Sequence, residues 1–253
     1  MPIIQSVERA LSILELFDEQ HGELKITEIS DRMGLHKSTV HSLLKTLQLF
    51  RYIDQDPETG KYRLGMKFLE RSGVVMQRLD IGRVAKDVLA EIARRTGQTA
   101  HLVVLDGREG VYVDKVEGPK AAIRYSRIGR RVPLHCSAVG KALIAFLSEE
   151  QLKPLLADYS YARHTENTIA NEAELRAELE RVRRAGTAED DEENEPGVHC
   201  VAVPVRDHGG AVVAAMSISM LVARVTREEI EEYRALMLDM AERLSARLGY
   251  GLA

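Results

Sequence analysis

The chain has 253 residues, enough for one large domain or two smaller ones, and its 45% apolar and 29% charged residues are those of a soluble globular protein rather than a disordered or membrane-spanning one. A net charge of -4 excludes a polycation that coats nucleic acid along its whole length, so any DNA contact must come from a local basic patch. Two cysteines, Cys136 and Cys200, exclude a disulfide framework and fit a reducing, cytoplasmic compartment. No secretory leader opens the sequence, and its most apolar stretch, Gly209 to Val225, is too short and too interrupted to span a bilayer.

Apolar residues Val7, Ala10, Leu11, Leu14 and Phe17 recur at helical spacing, with Ser6 as a candidate cap. A second helix is expected over Thr27 to Met33, burying Ile26, Ile29 and Met33. A turn at Gly34-Leu35 follows, then a third helix from Lys37 to Leu49 that buries Val40, Leu43, Leu44 and Leu47. Tyr52-Ile53-Asp54 and Lys61 to Leu64 alternate as two short strands around the turn formers Asp56-Pro57-Glu58-Thr59-Gly60. Three helices followed by a hairpin make a winged helix-turn-helix over residues 1–65.

No Asp or Glu occurs from Arg32 through Ile53, a span that carries Arg32, Lys37, Lys45 and Arg51 with His36 and His41. A helix entering a phosphate-lined groove needs this kind of local charge. The outer face of the third helix offers Lys37, Ser38, His41, Ser42 and Lys45, with Thr39 beside them, as donors to phosphates or base edges. Lys61 and Arg63 on the hairpin are placed to reach the sugar-phosphate backbone. Any one of these residues is ordinary on a solvated helix; the acid-free helix, the tight Gly34 turn and the basic hairpin in this order point together to double-stranded operator DNA.

Met66 to Leu79 has helical periodicity interrupted by Ser72-Gly73 and serves equally as a core helix or as a linker that pairs with its copy; residues 66–81 are taken as the linker. The remainder, 82–253, alternates helices and hairpins: a helix from Val84 to Arg95 ending at Gly97, strands Thr99 to Leu105 and Val111 to Val116, and a weak strand Ala122 to Arg127. Helices then cover Ser137 to Phe146, Ser148 to Leu156 and Asn171 to Arg184. Strands Val198 to Val205 and Val212 to Met220 precede a long C-terminal helix capped by Thr226 and Glu229. Hairpin-connected strands flanked by helices define an α+β domain, and no strand is followed by a Gly-x-Gly-x-x-Gly turn. The acidic run Glu189 to Glu195 reads as a solvated loop.

Three stretches carry a resemblance: Ile26 through Leu44, Gly129 through Leu143, and Asp190 through Glu193 with Gly197 through Val205. Together they are similar to the IclR family of bacterial transcriptional regulators. The resemblance implies a winged helix, a linker helix and a GAF-like effector domain with an antiparallel sheet, assembled as a homodimer or as a tetramer built from dimers. It also implies a small organic-acid or sugar-acid effector, and repression of a catabolic operon in preference to activation. Carried over by motif, the effector site comprises Asp190, Cys200, Ser217 and Ser219, with backbone groups near Gly129 and Arg130 closing one side. Three positions depart from the pattern. Lys25 stands where a hydroxyl residue caps the second helix, His36 where Pro is common, and Thr187 where an aromatic residue borders the effector pocket.

Two other readings compete. His135-Cys136, Asp190-Asp191 and His199-Cys200 supply metal-ligand atoms and allow a metal-responsive regulator, although His199 and Cys200 face opposite ways on a strand and no close Cys-x-x-Cys or His-Glu-x-x-His signature occurs. The same His199-Cys200 pair suggests an enzyme with a thiol nucleophile, without a third group to activate it. The expectation is a regulator that needs neither metal nor cofactor and is not an enzyme.

Overall fold

A computed structural model describes residues 3–18, 20–78, 80–121 and 126–251. The chain divides into two compact units, Met1–Arg78 and Leu79–Ala253.

In the first unit, helices α1 (Gln5–Leu14), α2 (Ile26–Met33) and α3 (Lys37–Leu49) precede strands β1 (Ile53–Gln55) and β2 (Tyr62–Leu64) and helix α4 (Lys67–Arg78). Ile13, Phe17, Leu24, Ile29, Val40, Leu44, Ile53 and Tyr62 form its core. The face of α1 differs from expectation: Ala10, Ile13, Leu14 and Phe17 turn inward, whereas Val7 and Leu11 are 52% and 58% exposed. Leu11 lies about 100° around the helix from Ala10, and Val7 lies in the opening turn. Ile4, not Ser6, occupies the N-cap. At α2 the cap works in reverse: Lys25 offers no acceptor, but its amide donates to the Glu28 carboxylate at 2.7 Å. Gly34 adopts φ +63° at the end of α2, a left-handed conformation that suits glycine and turns the chain into α3. β1 and β2 pair with Ile53 opposite Leu64, and Asp56 accepts the amides of Glu58 and Thr59 to fix the tip.

The second unit opens with α5 (Asp80–Thr96) and is built on a six-stranded antiparallel sheet of order β5-β4-β3-β8-β7-β6. The strands are β3 (Thr99–Asp106), β4 (Glu109–Val116), β5 (Arg131–Pro133), β6 (Ala188–Asp191), β7 (Val198–Arg206) and β8 (Val212–Leu221). One face is wholly apolar at its centre: Ala100, Leu102, Val201, Val203, Met216 and Ile218 pack against α5 and α9 (Arg227–Arg247), whose stripe is Tyr233, Met237, Met240 and Leu244. The other face carries α6 (Ala138–Ile144), backed by α7 (Glu149–Leu156) and α8 (Glu172–Ala185). Ser137, Ser148, Asn171 and Thr226 cap the helices that follow them.

Both edge strands escape the sequence pattern. β6 lies within the acidic run that read as a loop and pairs with β7 through four residues, Asp190 opposite Cys200. β5 is three residues long and borders β4. The strand expected at Ala122 to Arg127 falls mostly outside the described residues, and Ser126 and Arg127 belong to no strand.

Candidate DNA interface and effector site

Because α3 buries Val40, Leu44 and Leu47, its opposite face is fixed by helical period. Lys37, Ser38, His41, Ser42 and Lys45 are all exposed on it, and Thr39 is half-buried beside them. Neither Lys37 nor Lys45 is ion-paired among the described residues, so both ammonium groups remain available to phosphate. Ser42 donates to the Ser38 carbonyl at 3.1 Å, the helix-internal bond a hydroxyl makes when no other acceptor is offered. Lys61, just before β2, and Arg63, on it, stand 3.9 and 3.8 Å from Glu23, long and exposed contacts that hold neither side chain firmly.

In the second unit, strand register decides which side chains share a face. Asp190 pairs with Cys200, Cys200 with Ser219, and Ser219 with Thr99. Directly opposed residues in antiparallel strands point to the same side. The four therefore form one row across β6, β7, β8 and β3, on the face turned toward α6. The next row on that face runs Ala188, Ala202, Ser217, His101 and Lys115. Cys200 donates to the Ser219 hydroxyl at 3.1 Å. Asp190 is 2% exposed, and its Oδ1 accepts the amides of Glu193 and Asn194 at 2.8 and 3.2 Å. Burial nevertheless pushes its carboxyl up to about 7, the two amides opposing only part of that cost.

The turn between β6 and β7 borders Asp190 and is pinned from several sides. Thr165 donates to the Glu192 carbonyl and Thr168 to the Glu193 carbonyl, each at 2.6 Å. Lys141 of α6, fully buried, donates to the Glu193 carboxylate at 2.5 Å and stands 3.5 Å from Glu178, which Arg181 also holds. The acidic run is thus half interior and ion-paired, the reverse of a solvated loop.

Gly129 and Arg130 lie at the opposite end of the sheet, beside β4. The Gly129 amide donates to the Tyr112 carbonyl at 2.8 Å and the Arg130 amide to the Arg127 carbonyl at 3.1 Å. Both backbone amides are therefore already engaged, and neither is a free donor. Thr187 precedes β6 and lines a groove with Arg181, Glu189 and Arg234 toward α9, so it does not border the Asp190 face.

The thiols are not set up for nucleophilic attack. Burial pushes Cys200 upward, with Asp190 adding to it, and pushes Cys136 up to about 12; both stay protonated. His199 turns to the α9 side, with Nδ1 3.0 Å from Asp191 and Nε2 3.2 Å from Glu189, so it cannot meet Cys200. Among the described residues, candidate metal-ligand atoms of His135, Cys136 and His164 come within 4.8 Å of one another. His135 already has both nitrogens engaged, Nδ1 with the Tyr159 hydroxyl at 3.3 Å and Nε2 with the Ala162 carbonyl at 3.1 Å, and the Cys136 thiol faces Asn194. This donor set fits a hydrogen-bonded cluster better than a metal centre. No helix among the described residues is long and apolar enough to cross a membrane.

Thr99 and His101 were legible only as strand residues; their places opposite Ser219 and Ser217 come from the register.

Comparison with known proteins agrees with this architecture. Residues 6–57 match the IclR helix-turn-helix domain and residues 73–246 the bacterial transcriptional regulator IclR C-terminal domain. The chain is 57% identical to the HTH-type transcriptional regulator XynR of Escherichia coli over 99% of both chains. It is 38% identical to the HTH-type transcriptional regulator KdgR of the same organism, over 98% of this chain and 94% of the other. The crystal structure of the Thermotoga maritima IclR superposes with a TM-score of 0.82 at 37% identity, covering 97% of this chain and 99% of that one. With a DNA-binding head and an effector domain in this order, the chain belongs to the IclR family of bacterial transcriptional regulators and is a DNA-binding regulator, not an enzyme.

Proposed function

We propose that this regulator is a repressor of an operon for catabolism of a small organic acid or sugar acid, released from its operator when that acid binds the second unit. Repression is favoured by the names of two further relatives, the transcriptional repressor IclR of Escherichia coli and the transcriptional repressor AllR of Salmonella typhi. Residues 1–65 act as the DNA head, 66–81 as the linker and 82–253 as the effector domain. Lys37, Ser38, Thr39, His41, Ser42 and Lys45 face the major groove, and Lys61 and Arg63 flank it. The working unit is a dimer, or two dimers, presenting paired recognition helices to operator half-sites in the cytoplasm.

The observation that carries the effector assignment is the polar row itself: Asp190, Cys200 and Ser219, with Ser217 one row along, are buried on a sheet whose opposite face is apolar. Ser217 and Ser219, two apart on β8, aim both hydroxyls at one oxyanion, and Asp190 accepts from a ligand hydroxyl. The ligand must bind the DNA-competent and released states unequally.

Fluorescence anisotropy on an operator recovered by genomic-fragment selection tests both sites. Changing Lys37 and Lys45 to Ala should flatten the salt dependence of log K by about 0.9 per lost phosphate contact. Changing Ser217 and Ser219 to Ala should leave operator affinity intact and weaken release by the acid. An unchanged salt slope removes α3 from the interface, and an unchanged acid titration removes the serines from the effector site.

A further inference from the structure

The hairpin of the first unit is charged differently from α3. Among the described residues Lys37 and Lys45 on α3 have no ion-pair partner, whereas both cations of the hairpin, Lys61 and Arg63, share one carboxylate, that of Glu23. Backbone geometry fixes Glu23 there. Leu24 exchanges both main-chain hydrogen bonds with Tyr62, at 2.9 and 2.8 Å, so the segment before α2 runs beside β2 as a third extended piece. Leu24 and Tyr62 are buried in the core of the unit, and side chains alternate along extended chain, so Glu23, Lys61 and Arg63 share the outer face. Asp54 joins them: β1 sets it directly opposite Arg63, and opposed residues of an antiparallel pair point to the same side. At the tip, Asp56 is held below the usual carboxylate range chiefly by the Thr59 amide, with the charge of Arg63 adding to it. Arg63 thus lies among three carboxylates, and the hairpin offers DNA less net positive charge than its two basic residues suggest.

We propose that Glu23 sets the affinity of the DNA head: its carboxylate occupies the place of a phosphate at Lys61 and Arg63, and DNA must displace it. The inference rests on the assignment of those two residues to the DNA backbone above and adds the group that competes for them. Contacts of 3.9 and 3.8 Å between side chains 39–51% exposed are weak, so a phosphate can take them over. The displaced carboxylate then stands unpaired and draws a cation from solution, which cancels part of the counterion release that drives binding. Nothing comparable opposes Lys37 and Lys45, so α3 carries the larger share of the attraction. Phosphates hold no sequence information, so Glu23 acts on every duplex alike and leaves the choice of bases to α3.

Fluorescence anisotropy of the full chain tests this across a salt series, on an operator duplex recovered by selection and on a random-sequence duplex. Glu23→Gln should tighten binding to both duplexes by roughly two- to fivefold at ~50 mM salt, with the gain fading by ~500 mM. Glu23→Ala, which also removes the carboxylate, should match it. In a Lys61→Ala/Arg63→Ala background Glu23→Gln should keep less than half of its gain, because the cations it frees are gone. If Lys61→Ala/Arg63→Ala weakens binding while neither Glu23 variant tightens it, the competitor role is overturned and the hairpin contacts stand. If Lys61→Ala/Arg63→Ala binds as the wild type does, the hairpin contacts themselves fail and the inference falls with them. A gain that persists undiminished without the two cations, or that appears on the operator alone, also overturns it.

Discussion

Lys141 is the sharpest test of how the acidic turn is held. Its side chain is fully buried and meets Glu193 at 2.5 Å and Glu178 at 3.5 Å. Lys141→Met nearly preserves volume and deletes the charge. Glu178 keeps Arg181 at 2.7 Å, but the Glu193 carboxylate, whose Oε2 already lacks a partner, is left in the interior alone. Removing one member of a buried pair costs about 3–5 kcal/mol. Glu193 can escape part of that by taking up a proton, since burial already raises it and Lys141 is what opposes the rise, so the net cost is about 2–4 kcal/mol near neutral pH. For a domain of this size that lowers Tm by about 5–15 °C. The sign with pH follows from linkage. A carboxyl raised on folding contributes its full stability below its unfolded value and loses it as pH climbs through the folded one. The deficit of Lys141→Met should therefore be small at pH 5 and large at pH 8. Calorimetry at the two pH values, with Lys141→Met/Glu193→Gln alongside, measures it. An equal deficit at both, or a double variant no more stable than the single, refutes the ion-pair account.

Asp190 gives a related expectation. Its folded value of about 7 lies above the ordinary 3.8, so the free protein is penalised progressively from about pH 4 to 7 and fully above that. Asp190→Asn keeps the Oδ1 acceptor for the Glu193 and Asn194 amides and should stabilise the free protein by on the order of 1–3 kcal/mol at pH 8, with little gain at pH 4, read by urea titration. Gly140 lies in α6 where an added Cβ would sit 2.4 Å from the Pro133 carbonyl oxygen and 2.5 Å from Leu134 Cα, backbone atoms that cannot turn aside. Gly140→Ala should cost about 3 kcal/mol or more despite alanine's better helix propensity, and a Tm within 2 °C of wild type would contradict the packing.

The first unit was legible because its signals are local. Helical period places Val40, Leu44 and Leu47 inward, and the exposed lysines of α3 follow from that geometry without tertiary information. Val7 and Leu11 were misplaced because apolar spacing alone does not say which of two neighbouring stripes meets a partner. β6 was missed for a deeper reason. Ala-Glu-Asp-Asp has no strand propensity; pairing with β7 and the burial of Lys141 beneath its turn make it a strand. On the α6-facing side of the sheet, Asp190, Cys200, Ser217 and Ser219 are singled out by family likeness as the proposed effector residues, whereas the places of Thr99 and His101 follow only from the register between β3 and β8, which joins residues more than a hundred positions apart.

The two sides of the central sheet have separate duties, and this bears on how such regulators diversify. Alternate residues of one strand, such as Ile218 between Ser217 and Ser219, belong to a hydrocarbon layer under α5 and α9, while their neighbours present chemistry to α6. Under the proposed effector assignment, recognition of a new metabolite can be written into every second position without disturbing the layer beneath, so the scaffold tolerates retuning of its chemical vocabulary while its foundation stays constant.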